Sequence, residues 1–207
     1  MTSPEIPIFY NDLNFVLLEI QRVISQGAIN RKVAAHHPVV ATIDENGWPS
    51  QRVMILRECN WPQSALRFHT DLRSDKITHI ALQSNASALI YDAAAKLQIR
   101  LSGRLSLGTE KAAEQAWNAS TEFARRCYMT QSAPGSTSNA PMSGLPAWIE
   151  GKQPTLDMLK DARENFAILR FEFNRIDWLY LANNGHRRAK FTRNMQSHEW
   201  NGNWLIP

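Results

Sequence analysis

Val39-Val40-Ala41-Thr42-Ile43-Asp44-Glu45-Asn46-Gly47-Trp48-Pro49-Ser50-Gln51-Arg52-Val53-Met54-Ile55-Leu56-Arg57 is the stretch on which the fold turns. Val39 to Asp44 is apolar and β-branched, which suits a strand. Asn46-Gly47 follows, and both residue types tolerate positive φ, so the chain is read as turning back on itself. Gln51 to Arg57 then makes the returning strand. Two antiparallel strands joined so tightly begin a sheet built from hairpins, not one built from helical crossovers.

Working outward, Asn11 to Gln26 reads as a helix. Leu13, Leu17, Ile20 and Ile24 fall on one face, Asn11 can cap its start, and Gly27 stands where a helix stops. Leu66 to Thr70 is a third strand after the Trp61-Pro62 turn. Ser74 opens a helix through about Gln83, with Ile77, Ile80 and Ala81 facing inward. Ala86 to Tyr91 and Leu97 to Leu107 are strands joined by the short Asp92–Lys96 link. Thr109 caps a helix to about Ala119, and a second helical stretch covers Glu122 to Met129.

Residues 131–154 are rich in Ser, Pro, Gly and Asn and read as a surface loop or a lid. Thr155 caps a helix to about Asn165. Ala167 to Phe173, Asp177 to Leu181 and Arg187 to Thr192 look like closing strands, with a turn at Asn183-Asn184-Gly185, and Trp200 to Ile206 is a last short strand. The count is about eight strands, without a βαβ rhythm or an internal repeat. The expectation is a mainly β fold with peripheral helices, an antiparallel closed or split β-barrel, forming a single domain over residues 1–207.

Composition sets the outer limits. The chain has 207 residues, 43% of them hydrophobic and 20% charged, enough for one substantial core. No apolar run approaches the ~20 residues of a membrane span. Met1 to Tyr10 carries Glu5 and no basic residue, unlike a signal peptide. Two cysteines, Cys59 and Cys127, cannot form a disulfide framework, which points to a reducing, cytoplasmic compartment. Lys and Arg total 23 against 19 acidic residues, a net +4. That excess fits a nucleic-acid surface or a pocket for a small anion. The first would use the scattered arginines and aromatics such as Trp48 and Trp61, but no continuous basic stripe is visible, so no nucleic-acid partner is expected.

Chemistry is first narrowed by what is missing. There is no Gly-rich phosphate loop and no nucleophile elbow. His36, His37, His69, His79, His186 and His198 have no ligand spacing, so no metal is expected. The two cysteines read as ordinary thiols. What is present is a set of anion-binding parts. Arg52 and Arg57 lie five apart, an odd spacing that puts them on opposite faces of a strand unless a bulge or bend intervenes. Ser74 and Lys76 stand at a helix N-terminus, where free N–H groups favour an anion. The plainer reading of that pair is a Ser74 cap with Lys76 in solvent, and spacing alone favours it.

The order of these pieces carries more than any one of them. Gln51-Arg52-Val53-Met54-Ile55-Leu56-Arg57, then Phe68-His69-Thr70-Asp71-Leu72-Arg73-Ser74-Asp75-Lys76, then Leu97-Gln98-Ile99-Arg100-Leu101-Ser102-Gly103, resembles the pyridoxamine 5′-phosphate oxidase family of FMN proteins. Gln131-Ser132, Ile176-Asp177-Trp178, His186-Arg187-Arg188 and the ending Trp204-Leu205-Ile206-Pro207 are similar too. The resemblance runs from about Ala41 to Pro207. It implies an FMN-binding split barrel working as a homodimer, with the flavin at the subunit interface. It implies that Arg52 holds the FMN phosphate with His69, Thr70, Ser74 and Lys76, while Val53, Met54, Ile55 and Leu56 meet the ring. Gln98 would touch the flavin, Gln131 and Ser132 would reach over from the partner subunit, and Trp178 (or Leu179) would stack on it. Arg188 or Lys190 would take the last flavin contact.

This sequence also departs from the family. Asp75 stands where the family has an arginine, and Arg57 where it has its substrate-phosphate lysine. The family's substrate Tyr, Arg and Ser fall at Trp117, Thr121 and Arg125. The resemblance therefore implies a divergent branch. Its activity is expected to be FMN-dependent oxidation, with substrate hydride passing to flavin N5 and oxygen or another acceptor reoxidising the flavin. Arg57, Arg187 and Arg188 would face a small anionic substrate, and no catalytic acid or base is assigned. A non-catalytic flavin-binding or sensing protein of the same fold is the alternative.

Overall fold

The computed structural model describes residues 6–207, so the leader-peptide expectation for Met1 to Tyr10 lies partly outside the described residues. β1 (Val39–Ile43) and β2 (Pro49–Val53) form the expected hairpin, with Val40 opposite Arg52 and Thr42 opposite Ser50. The turn differs in detail. Asp44 Oδ1 accepts from the N–H groups of Asn46 (2.9 Å) and Trp48 (2.8 Å), and only Gly47 adopts positive φ, at +84°. The Asp44 carboxylate organises the turn, so Asn46 need not enter the left-handed region.

The returning strand is broken where a single strand was expected. Met54 still donates to Pro38 O at 2.9 Å, and then the chain turns a corner into β3 (Leu56–Asn60), which pairs with β4 (Ala65–Asp71) instead of β1. Met54 and Leu56 go into the core, while Val53 and Ile55 face out. A bulge between Leu56 and Glu58 adds a further twist.

β5 (Asn85–Asp92), β6 (Leu97–Leu107), β7 (Phe166–Tyr180), β8 (Arg187–Arg193) and β9 (Trp200–Leu205) complete the sheet. The order is β2-β1-β5-β6-β7-β4-β3, with β8 on β7 and β9 on β8, every pair antiparallel. Among the described residues this is a split barrel of nine strands, not about eight. The two strands expected over Ala167–Phe173 and Asp177–Leu181 are one. Asn174 bulges out of β7, so Gly103 pairs with Phe173 and Ser102 with Arg175. A Cβ on Gly103 would lie 1.9 Å from Glu172 O, so only glycine allows this contact.

Leu56, Phe68, Ile99, Leu101, Phe171, Phe173, Trp178 and Phe191 fill the barrel, closed on one side by Val16, Ile20 and Ile24 of α1 (Leu13–Ile29). Asp12, not Asn11, caps α1, its Oδ1 accepting from Asn14 N at 2.7 Å. The helix also runs through Gly27. Gly27 serves close packing, since a Cβ there would meet Ala35 O at 2.5 Å.

α2 (Asp75–Leu82) buries His79 and Ile80, leaving Ala81 exposed. α3 (Glu110–Asn118), capped by Thr109, and α4 (Glu122–Arg125) lead into a 3-10 turn at Arg126–Met129. Trp117, Tyr128 and Phe166 form a satellite cluster there. Residues 155–165 make two 3-10 turns, Asp157–Leu159 and Asp161–Asn165, where a Thr155-capped helix was expected. Tertiary anchors outweigh helix propensity there: the Asn165 amide donates to Tyr128 O (2.9 Å), and its carbonyl accepts from Leu72 N (2.7 Å). Among the described residues no helix is long and apolar enough to cross a membrane.

Candidate functional site

A cleft of about 680 Å³ opens where the β2–β3 corner, the end of β4, the start of α2 and residues 130–144 meet. Its size is within the range of small-molecule sites. Arg52 stands at one end. Its Nη1 donates to Ser50 O (2.7 Å) and Thr42 Oγ1 (2.8 Å), and its Nη2 to Ser50 Oγ (2.7 Å). Three of the five guanidinium hydrogens are thereby used, leaving Nε–H and one on Nη2. Burial lowers the Arg52 pKa from its ordinary value, and Asp75 partly opposes this.

The β4–α2 connection supplies the rest of this end. Lys76 Nζ donates to Ser74 Oγ at 2.8 Å and Thr70 Oγ1 at 3.3 Å, and Ser74 Oγ donates to Asp71 O at 2.7 Å. Ser74 occupies the cap position, but its hydroxyl makes no capping bond, and Lys76 is half-buried. The plainer reading, a Ser74 cap with a solvated lysine, is therefore overturned. Burial, reinforced by nearby Arg52, lowers the Lys76 pKa. Arg73 turns away from the cleft. It pairs with Asp71 (2.7 Å) and ties Thr130 through its carbonyl and hydroxyl.

Arg57 and His69 stand towards the other end, beside Cys127 and Tyr128. The corner at Met54-Ile55 is the bend that the odd spacing left room for, and it brings Arg57 to the same cleft as Arg52. Arg57 Nε and His69 Nε2 are buried without a partner. Burial, with Arg57 and Arg67 nearby, pushes the His69 pKa down to about 4. The imidazole is neutral at pH 7. Between the ends, Val53 and Ile55 offer exposed apolar side chains.

Of the residues singled out in sequence, Arg52, Val53, Met54, Ile55, Arg57, His69, Thr70, Lys76 and Ser132 line this cleft. Ser74 lies directly behind Lys76, and Leu56 is fully buried beneath. Gln131 donates its N–H to Gly144 O at the base of the loop. The loop thus folds over its own chain's cleft, whereas the resemblance implied a reach from a partner. Gln98 sits in mid-sheet between Tyr91 and Leu179, off the cleft. Trp178 is fully buried against Tyr10 and cannot stack on a ligand in this packing. Lys190 faces Asp177 and Asn203 across β8.

Arg187 and Arg188 lie in a separate hollow with Trp204, and Arg188 pairs with Asp177 at 2.8 Å. Burial works to raise the Asp177 pKa, but Arg188 and Arg100 outweigh it and hold the carboxyl low. Trp117 and Arg125 are consumed internally: Trp117 is buried, and Arg125 lies over its ring and donates to Ser120 O and Asn118 O. A larger hollow of about 760 Å³ at the β6–β7 bulge contains none of the candidates. Among the described residues no three His, Cys, Asp or Glu side chains could hold a metal ion together.

Sequence reading missed Thr42 and Ser50, the supports of Arg52. The hairpin register holds the signal, since Thr42 and Ser50 face one another and Ser50 shares a strand face with Arg52. It also missed Tyr128, which is brought to the cleft only by tertiary folding, and it read residues 131–154 as a loop or lid without assigning any of Ala133–Gly144 to the site.

Fold and cleft together define a split-barrel protein whose cleft carries Arg52, Lys76 and Arg57. Residues 19–109 match the model of the pyridoxamine 5'-phosphate oxidase FMN-binding domain. Over those residues the chain is similar to the pyridoxamine 5′-phosphate oxidase-related family. It is 32% identical over 106 residues to the pyridoxine/pyridoxamine 5'-phosphate oxidase of Mannheimia succiniciproducens, a match covering 51% of this chain but only 45% of that protein. It is 27% identical over 153 residues to pyridoxine/pyridoxamine 5'-phosphate oxidase 2 of Arabidopsis thaliana, covering 70% and 73%. The fold is similar to that of a pyridoxamine 5'-phosphate oxidase-related, FMN binding protein of Nostoc punctiforme (TM-score 0.71, 24% identity, covering 91% and 95%). It is equally similar to that of PhzG of Burkholderia lata, solved with tetrahydrophenazine-1-carboxylic acid (TM-score 0.71, 18% identity, 100% of each chain).

Proposed function

We propose that this chain binds FMN in the cleft and acts as a flavin-dependent oxidoreductase on a small anionic substrate. The carrying observation is the polarity of the cleft: a tied-down Arg52 with Lys76, Thr70 and Ser74 at one end, and an unpartnered Arg57 at the other. The donor set fits the cofactor. A phosphate dianion matches the free edge of Arg52 and the Lys76 ammonium, and would relieve the crowding of Lys76 by Arg52. The exposed side chains of Val53 and Ile55 suit the face of a flat ring.

When bound, the flavin would supply the hydride-accepting chemistry. Arg57 would bind and orient an anionic substrate beside it. His69, held neutral, would add a polar contact without a second charge. Residues 132–144 would cover the cleft and exclude water. Gln98, Trp178, Lys190, Arg187 and Arg188 lie off the cleft in one chain. A homodimer would bring the accessible ones among them to the partner's cleft, with a flavin at each junction.

The test is the absorption spectrum of the purified protein and its titration with FMN. A yellow protein, or saturable uptake of FMN by a colourless one, is expected. Failure to take up FMN would overturn the reading, and a monomer in sedimentation would overturn the dimer. The internal use of Trp117 and Arg125 favours a second reading, a flavin-binding protein without turnover. Steady peroxide production with a pyridoxine vitamer phosphate would exclude it.

A further inference from the structure

Behind Arg52 runs a buried chain of polar groups that the function above does not use. An arginine only donates, so Thr42 Oγ1 accepts from Arg52 Nη1 at 2.8 Å. The Thr42 hydroxyl proton is then directed elsewhere, and His79 Nδ1 lies 3.0 Å away. Nδ1 accepts that proton only when it carries none of its own, which places the ring proton on Nε2. Nε2 faces the Glu45 carboxylate at 3.9 Å, at the tip of the β1–β2 turn. Thr42 is fully buried and His79 nearly so, while Glu45 is exposed. Each donor points outward, from the guanidinium through hydroxyl and imidazole to a surface carboxylate.

We infer that His79 is a positioning residue for the anion-binding arginine: it fixes the Thr42 hydroxyl, which holds one corner of the Arg52 guanidinium. The inference rests on the FMN reading of the cleft. Three different elements meet here, with Arg52 on β2, Thr42 on β1 and His79 on α2. Ser50 alone holds the guanidinium from within its own strand, through its carbonyl and hydroxyl. The link through Thr42 ties Arg52 to the helix whose start carries Lys76. It thereby sets the two cations relative to one another, as a phosphate requires.

The test compares FMN with riboflavin, which lacks the phosphate, by titration against wild type, Thr42→Val, His79→Phe and His79→Asn. In Thr42→Val and His79→Phe the FMN dissociation constant is expected to rise about tenfold, the loss of one hydrogen bond on a charged group. Riboflavin affinity should stay as in wild type. His79→Asn, whose Oδ1 stands near the place of Nδ1, should recover most of the FMN affinity. An unchanged FMN affinity in Thr42→Val overturns the inference. So does a fall in riboflavin affinity equal to that for FMN, because loosened packing would weaken both. Thermal melts of the flavin-free proteins check folding. If His79→Phe does not fold, Thr42→Val and His79→Asn decide between them. A wild type that does not prefer FMN overturns both this inference and the reading beneath it, whereas a failure confined to the variants overturns the inference alone.

Discussion

The two ends of the cleft hold one arginine each, five residues apart in sequence, and treat them in opposite ways. Arg52 is gripped by Ser50 and Thr42 before any ligand arrives. Arg57 leaves a buried Nε unpartnered, beside a His69 whose Nε2 is also unpartnered. A prearranged donor loses little freedom when a ligand binds, which favours tight, lasting occupancy. A buried donor with no partner is costly until something satisfies it, so that end of the cleft gains from an acceptor brought by a guest. On the proposed function, the first end suits a resident cofactor and the second a passing substrate.

That contrast breaks most readily at Arg52. Arg52→Ala should weaken FMN about 100-fold, since it removes a charged donor pair worth about 2–3 kcal/mol. Riboflavin should bind nearly as before. Equal losses for both flavins would mean that the cleft is wrongly oriented. Arg57→Ala should show the reverse pattern. FMN affinity should change less than about twofold, while pyridoxine 5′-phosphate, used as an anionic probe, should bind about tenfold more weakly. A large FMN loss there would erase the distinction between the ends.

The smallest effect concerns pH. His69 titrates at about 4 when folded and near its ordinary 6.5 when unfolded. Between those values the unfolded chain binds the proton and the folded chain does not. Stability of the flavin-free protein is therefore complete above about pH 6.5 and lost progressively as pH falls towards about 4. His69→Phe should flatten that part of the denaturation profile. An unaltered slope would mean that the ring is solvated in the folded protein.

Local pattern carried much of this architecture. The β1–β2 turn, the span of β6 and the Thr109 cap follow from strand alternation and turn chemistry alone. The corner at Met54-Ile55 was hidden because the run from Gln51 to Arg57 is continuously suitable for a strand. Only its two partners, β1 and β4, decide where it breaks. β7 misled in the opposite sense: polar Asn174-Arg175 resembles a turn, but a bulge absorbs it. At the site, the cations were readable because their chemistry is intrinsic to them. Their supports were not, since Thr42 and His79 look like an ordinary strand threonine and an amphipathic-helix histidine. Trp178 shows the limit of matching motifs, because burial against Tyr10 decides what it can touch.

The loop over the cleft is closed at its foot. Gln131 N–H reaches Gly144 O at 3.1 Å, and Arg73 pins Thr130 just before it. The chain leaves the scaffold and returns to it at nearly one point, as an Ω-loop does. The residues between can lengthen, shorten or change composition without altering the spacing of the strands below, and the added closure entropy grows only slowly with length. Evolution can therefore exchange the roof of the cleft while keeping its floor, so one barrel can be fitted to successive substrates by rewriting a single excursion of the chain.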